Sequence, residues 1–180
     1  MLLFIRKLDD FIISRITFKN SRRFLDKLMI FCSYLGNGGV IWLLICTFLI
    51  AYKPYRIVGI SVLLSLVISL IVGEGIIKHC VKRLRPFRTN SNINILITKP
   101  LSYSFPSGHT FSSFAAANML YLYFNGFAII FFILASLIAI SRIYLCVHYT
   151  TDIIAGFVLG LLCSKLLFIL INYVSIYYCS

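Results

Sequence analysis

Residues 111–140 read FSSFAAANMLYLYFNGFAIIFFILASLIAI, thirty positions without a single charge. About 20 apolar residues suffice to cross the hydrocarbon core of a bilayer, so this run is too long for one ordinary span. Asn125-Gly126 supplies a turn signal near its middle. The stretch therefore reads as two membrane helices joined by a tight turn, the third and fourth in the chain. Downstream, residues 153–171 form a fifth span with Lys165 inside it and Tyr173, Tyr177 and Tyr178 as interface anchors. Upstream, residues 57–77 form a second span broken only by Glu74, and residues 28–52 a first, interrupted by Gly36, Gly38 and Gly39. The second helix is expected to run on through Lys78 to Arg85 until Pro86 stops it, because the residue before proline avoids the α region. Residues 87–105 read as a loop over the membrane surface.

The rest of the chain agrees. Of its 180 residues 61% are hydrophobic and 12% charged, about half the charge of a soluble domain. Disorder and an ordinary soluble fold are excluded. The expected fold class is all-α: a polytopic membrane bundle of about five transmembrane helices with an N-terminal amphipathic surface helix. Two regions follow, an interfacial segment over residues 1–27, mixing apolar positions with seven cations and three acids, and a transmembrane domain over 28–180. No removable signal peptide is read at the N-terminus. Cys32, Cys46, Cys80, Cys146 and Cys163 fall in or beside apolar runs without metal-ligand spacing and read as small hydrophobes. Cys179 is open to lipidation, though Tyr-Cys-Ser is no prenylation box. The net charge of +12 would suggest nucleic acid on a soluble chain. Here the cations sit between spans, which points to phospholipid or phosphate instead.

In five alternating spans, the end of span two, the start of three, the end of four and the start of five share one side. Those ends hold the polar groups that are hardest to explain in a membrane. Lys78 and Arg85 are two helical turns apart and can share a target, and two such cations need an anion. Glu74, one turn before Lys78, can simply pair with it. Lys82, Arg83 and Arg88 read equally well as headgroup contacts. Pro106-Ser107-Gly108-His109 opens span three with unpaired N–H groups that would hold phosphate, or form an ordinary capped helix start. His109 fits the capping reading poorly, since an imidazole is no help to a cap. Ser141-Arg142, His148 and Asp152 follow, and a carboxylate four residues after a histidine can accept its ring N–H and free the other nitrogen as base or nucleophile. Taken singly, each has a plain structural reading as an interfacial side chain or a first-turn acid.

Together, Lys78-x6-Arg85-Pro86, Pro106-Ser107-Gly108-His109 and Ser141-Arg142-x5-His148-x3-Asp152 resemble the three-part signature of the type 2 phosphatidic acid phosphatase superfamily, membrane lipid phosphatases sharing an active site with vanadium haloperoxidases. The resemblance covers residues from about 28 to 175. It implies His148 as nucleophile, Asp152 orienting it, and His109 as general acid. It further implies that Lys78, Arg85, Ser107, Gly108 and Arg142 hold the phosphate. Neither a metal nor another cofactor is expected, and the only core acids are Glu74 and Asp152. The implied substrate is a lipid phosphate or diphosphate in the bilayer, foremost undecaprenyl diphosphate, with phosphatidic acid or phosphatidylglycerophosphate as the alternative. A non-catalytic lipid-binding or transport protein is the reading from another class. The implied location is a bacterial cell membrane. N-terminal cations favour a cytoplasmic site by the positive-inside rule, yet relatives work on the outer face, and the extracytoplasmic side is the expectation. The Gly156-x3-Gly160 spacing suits helix packing or self-association.

Overall fold

The computed structural model describes residues 2–17, 23–90 and 93–179, and every regular element among them is helical. The readings placed on Tyr178, on Cys179 and on the side chains of residues 1–6 and 18–22 of the interfacial segment lie outside the described residues. The centre of the bundle is α7 (Gly108–Phe124), where Ser113, Ala115, Ala116 and Ala117 are fully buried. Such small side chains let α4 (Arg56–Ser69), α8 (Ile129–Tyr144) and α9 (Thr150–Cys179) all pack against it. The closest approach is to α9: a Cβ on Gly160 would stand 2.9 Å from the Ala115 amide and the Phe111 carbonyl, and one on Gly156 2.8 Å from the Ser107 carbonyl. Asn118 Nδ2 then donates to Ser164 Oγ at 2.7 Å across the same interface. The glycine pair thus serves packing within the chain, and α7 covers the face it would offer a second copy.

Helices α2 (Arg23–Leu35) and α3 (Val40–Ala51) are bent by 53° where they meet. Gly38 and Gly39 carry the bend at φ 59° and 70°, a left-handed conformation in which other residues are strained. Beyond it Trp42 is fully buried and donates its indole N–H to Ser113 Oγ at 2.9 Å.

Three helical runs, Lys53–Thr89, Gly108–Tyr144 and Thr150–Ser175, are long and apolar enough to cross a membrane, or four with the bent α2–α3 pair. The expected five differs because Gly108–Tyr144 counts as one run. Inside it, the rings of Phe114 and Phe132 lie 6.1 Å apart, where 18 residues of straight helix would separate them by about 27 Å. The chain reverses at Asn125, whose φ is 53°, so α7 and α8 form the hairpin read from Asn125-Gly126.

The second helix departs from expectation. After α4 it widens into a π-helical stretch, Leu70–Ile77, then finishes as α5 (Lys78–Val81). It ends at Lys82, at φ 50° with its N–H on the Lys78 carbonyl, not at Pro86, which instead opens the short α6 (Pro86–Thr89). Ser104 N donates to the Arg83 carbonyl at 2.8 Å, so the loop satisfies backbone that the helix gives up.

The N-terminal segment forms α1 (Leu2–Thr17), which buries Asp9 and Ile13 and leaves Leu8 and Phe11 exposed. Ile13 packs with Ile93, Cys146 and Tyr149.

Candidate active site

A cavity of about 650 Å³ opens where the ends of α5, α7 and α8 meet the turn before α9, and it is lined by Lys78, Arg85, Gly108, His109, Arg142 and His148. Six of the eight residues singled out from the sequence therefore face one space. Its other wall is apolar, with Leu63, Leu66, Val67 and Leu70. Ser107 and Asp152 are buried behind the lining instead. Ser107 caps α7, accepting from Thr110 N at 3.4 Å and Thr110 Oγ1 at 2.9 Å, which is the plain capping reading of that residue. Its own N–H donates to the Asp152 carbonyl at 3.1 Å.

The three cations are almost fully buried, at 3% exposure for Lys78, 2% for Arg85 and 3% for Arg142. Lys78 pairs with Glu74 at 2.6 Å, one turn back. Among the described residues, Arg85 and Arg142 have no carboxylate within ion-pair distance. Arg85 is held by neutral acceptors: the Ser102 carbonyl and the Val147 carbonyl, each at 2.8 Å, and Ser102 Oγ at 3.1 Å. Arg142 donates to Ser33 Oγ, and its Nε–H is buried without a partner. Buried charge is costly unless it is matched, so this wall is built to receive an anion. Lys78 and Arg85 meet through the turn at Lys82 and their shared partner Ser102, not through helical phase as the sequence suggested.

His148, in the turn between α8 and α9, is 1% exposed. Its Nε2 lies 3.0 Å from Arg85 Nη1. A guanidinium only donates, so Nε2 is the acceptor and the proton of the neutral ring sits on Nδ1. Burial, and then the charges of Arg85, Arg142 and Lys78, hold this imidazole well below the ordinary histidine range. Nδ1 points toward Asp152 Oδ2 at 3.6 Å and has no hydrogen-bond partner, a distance beyond a hydrogen bond. The expected His148–Asp152 hydrogen bond is thus an approach and not a contact. Asp152 Oδ2 accepts instead from Tyr149 N at 2.9 Å and from Ser104 Oγ, and Oδ1 from Arg83 at 2.7 Å.

His109, in the first turn of α7, places Nε2 2.8 Å from Asn37 Oδ1. The α2–α3 bend wraps the ring: a Cβ on Gly36 would be 2.7 Å from His109 Cδ2. With Nε2–H donated to Asn37, Nδ1 keeps the lone pair.

Sequence reasoning missed Asn37, Ser102, Ser104, Ser33 and Asp9. Asn37 and Asp9 left a signal: an amide between glycines in an apolar run, and an acid four residues before Ile13 on a mostly cationic helix. The serines left none. Arg83, an undecided headgroup contact, pairs with both Asp9 at 2.8 Å and Asp152 at 2.7 Å. Arg88 donates to the Leu101 carbonyl at 2.9 Å, while Lys82 and Lys165 are exposed.

Compared with known proteins, residues 54–176 match the family model described as the PAP2 superfamily. The undecaprenyl-diphosphatase of Sulfolobus acidocaldarius is 36% identical over 137 residues, 76% of this chain and 66% of that protein. The bacitracin transport permease protein BcrC of Bacillus licheniformis is 33% identical over 113 residues, 63% of this chain and 55% of that protein. Both matches span slightly or clearly less than two thirds of the relative's length. The solved PAP2-type phosphatidylglycerolphosphate phosphatase from Bacillus subtilis superposes with a TM-score of 0.76 at 24% identity, covering 94% of this chain and 87% of that one.

Proposed function

Because this chain belongs to the PAP2 superfamily, we propose that it is a lipid phosphatase working through a phosphohistidine, with undecaprenyl diphosphate as substrate and undecaprenyl phosphate and inorganic phosphate as products. The observation that carries this is the cavity itself: two buried guanidiniums with no carboxylate partner among the described residues and a buried lysine, facing the same space as two imidazoles. The substrate's terminal phosphate is gripped by Lys78, Arg85, Arg142, the Ser107 hydroxyl and the Gly108 amide at the α7 N-terminus. As its oxygens take over the Arg85 N–H groups, His148 Nε2 is uncovered and attacks phosphorus while the bond to the leaving oxygen breaks. His109, which takes up a second proton on Nδ1 when the phosphate binds, gives that proton to the leaving oxygen, and its freed Nδ1 then takes a proton from the water that cleaves the phosphohistidine. Asp152 closes on Nδ1–H as the ring gains charge. Fixed donors around the equatorial oxygens supply the electrostatic stabilisation that phosphoryl transfer needs.

The substrate assignment is supported by the Sulfolobus relative and by the apolar wall of Leu63, Leu66, Val67 and Leu70, against which a lipid chain would lie. The chemistry proposed is metal-independent: Glu74 is engaged with Lys78 and Asp152 with Arg83, and no three His, Cys, Asp or Glu cluster among the described residues. The cavity is assigned to the extracytoplasmic face of the cell membrane.

In purified protein, His148→Ala should abolish phosphate release without lowering thermal stability; unchanged turnover would remove the nucleophile. A substrate panel ranked by kcat/KM places undecaprenyl diphosphate first, and a lead for phosphatidylglycerophosphate or phosphatidic acid would replace that substrate. A chain that binds these lipids and releases no phosphate is the transport protein of the alternative reading. Turnover persisting in chelator is expected, and a magnesium requirement would contradict the metal-free chemistry.

A further inference from the structure

Asp9 takes no part in the chemistry above, yet it is 1% exposed on a helix that otherwise presents Leu8 and Phe11 outward. Its Oδ2 accepts from Arg83 Nη2 at 2.8 Å and from Thr151 Oγ1 at 2.5 Å, and its Oδ1 from Thr151 N at 3.1 Å. The other arm of the same guanidinium, Nη1, donates to Asp152 Oδ1 at 2.7 Å, and the Arg83 guanidinium carbon lies 4.0 Å from the centre of the Tyr149 ring. One half-buried cation is thus divided between an acid on α1 and the acid that faces His148.

We propose that Asp9 is a positioning residue for the phosphatase reaction, acting through Arg83 to keep Asp152 available to His148; the inference rests on the phosphatase reading above. Left to itself, a guanidinium prefers to grip a carboxylate with both arms. Such a grip on Asp152 would take Oδ2 as well as Oδ1, and Oδ2 is the oxygen 3.6 Å from His148 Nδ1. Asp9 engages Nη2 and so holds Arg83 to a single bond with Asp152. Stacking on Tyr149 fixes the plane in which the division occurs. The N-terminal helix, whose Asp9 is 142 residues from Thr151 in sequence, thereby completes the support of the imidazole.

The experiment compares Asp9→Asn, Asp9→Glu, Arg83→Lys and Ile13→Ala with the wild type, by steady-state kinetics and thermal melting in detergent. Asp9→Asn keeps an acceptor for Thr151 but no charge for Arg83. Its kcat should fall roughly 10-fold, at the low end of what lost supporting partners cost a reactive group, with KM within about 2-fold. Asp9→Glu should recover part of the loss. Ile13→Ala loosens the same helix at its packing on Tyr149 but leaves the Asp9–Arg83 pair in place, so it should melt earlier and lose less kcat than Asp9→Asn. Should Asp9→Asn fail to fold, Arg83→Lys, which gives up the two fixed arms shared between Asp9 and Asp152, carries the same expected loss of kcat. Wild-type kcat in Asp9→Asn, or a kcat loss in Ile13→Ala equal to that in Asp9→Asn, overturns the positioning role while the phosphatase reading stands. Absent phosphate release in the wild type removes that reading and this inference with it.

Discussion

At the scale of single residues, the proposed chemistry turns on an imidazole kept neutral. His148 is faced by Arg85, Arg142 and Lys78 from three elements, with Asp152 on its Nδ1 side and His109 on the same cavity. A folded-state value below the ordinary one of about 6.5 means that the ring stays unprotonated on the acid side of that pH. The acid limb of kcat/KM that belongs to His148 should therefore lie below pH 6.5, as a pH profile will show; a limb above 6.5 would contradict it. The same shift has a sign for stability. In acid the unfolded chain binds this proton and the folded one does not, so the contribution is whole above about 6.5 and lost as pH falls below it. His109 is held by Asn37, and Asn37→Ala should lower kcat by less than His109→Ala does, which stopped-flow or steady-state turnover can compare. The histidines and the three cations were legible because imidazole and buried cations have few reasons to sit at membrane depth. Ser102, Ser104 and Ser33 were not, since a hydroxyl is ordinary anywhere and gains meaning only from its partner.

Elements were legible where apolar length decides them. The hairpin of α7 and α8 followed from a run too long for one crossing and a turn signal in its middle. Helix two was misread because Lys78-x6-Arg85 suits helical phase, while what ends the helix is Lys82 in a left-handed conformation and a loop that takes over the backbone hydrogen bonds. That pairing joins residues 83 and 104, and no local pattern reports it. The α7–α9 contact makes its own prediction. Gly160→Ala places a methyl against backbone that cannot retreat like a side-chain tip, and should cost about 1–3 kcal/mol, seen as a lower melting temperature. Gly126→Ala, with open space around its Cβ, should leave the melt nearly unchanged. Equal melts for the two would mean that the helices are not in close contact.

For the molecule as a whole, a bundle of apolar helices gathers its buried positive charge at one end and supplies little acid to balance it. Composition announced the surplus, and only the fold shows which cations share a wall and which, like Arg83, are spoken for by Asp9 and Asp152. The N-terminal helix, read in the sequence as part of an interfacial segment, is tied to the body through that arginine. The function proposed for this end of the bundle is to pass a phosphoryl group through nitrogen. The direct measurement mixes purified protein with a lipid diphosphate labelled at its terminal phosphorus, quenches in alkali, and locates the label by peptide mass. The account predicts an acid-labile phosphoryl group on His148 that is absent from His148→Ala. Label on another residue, or full turnover in His148→Ala with no labelled protein, would contradict it.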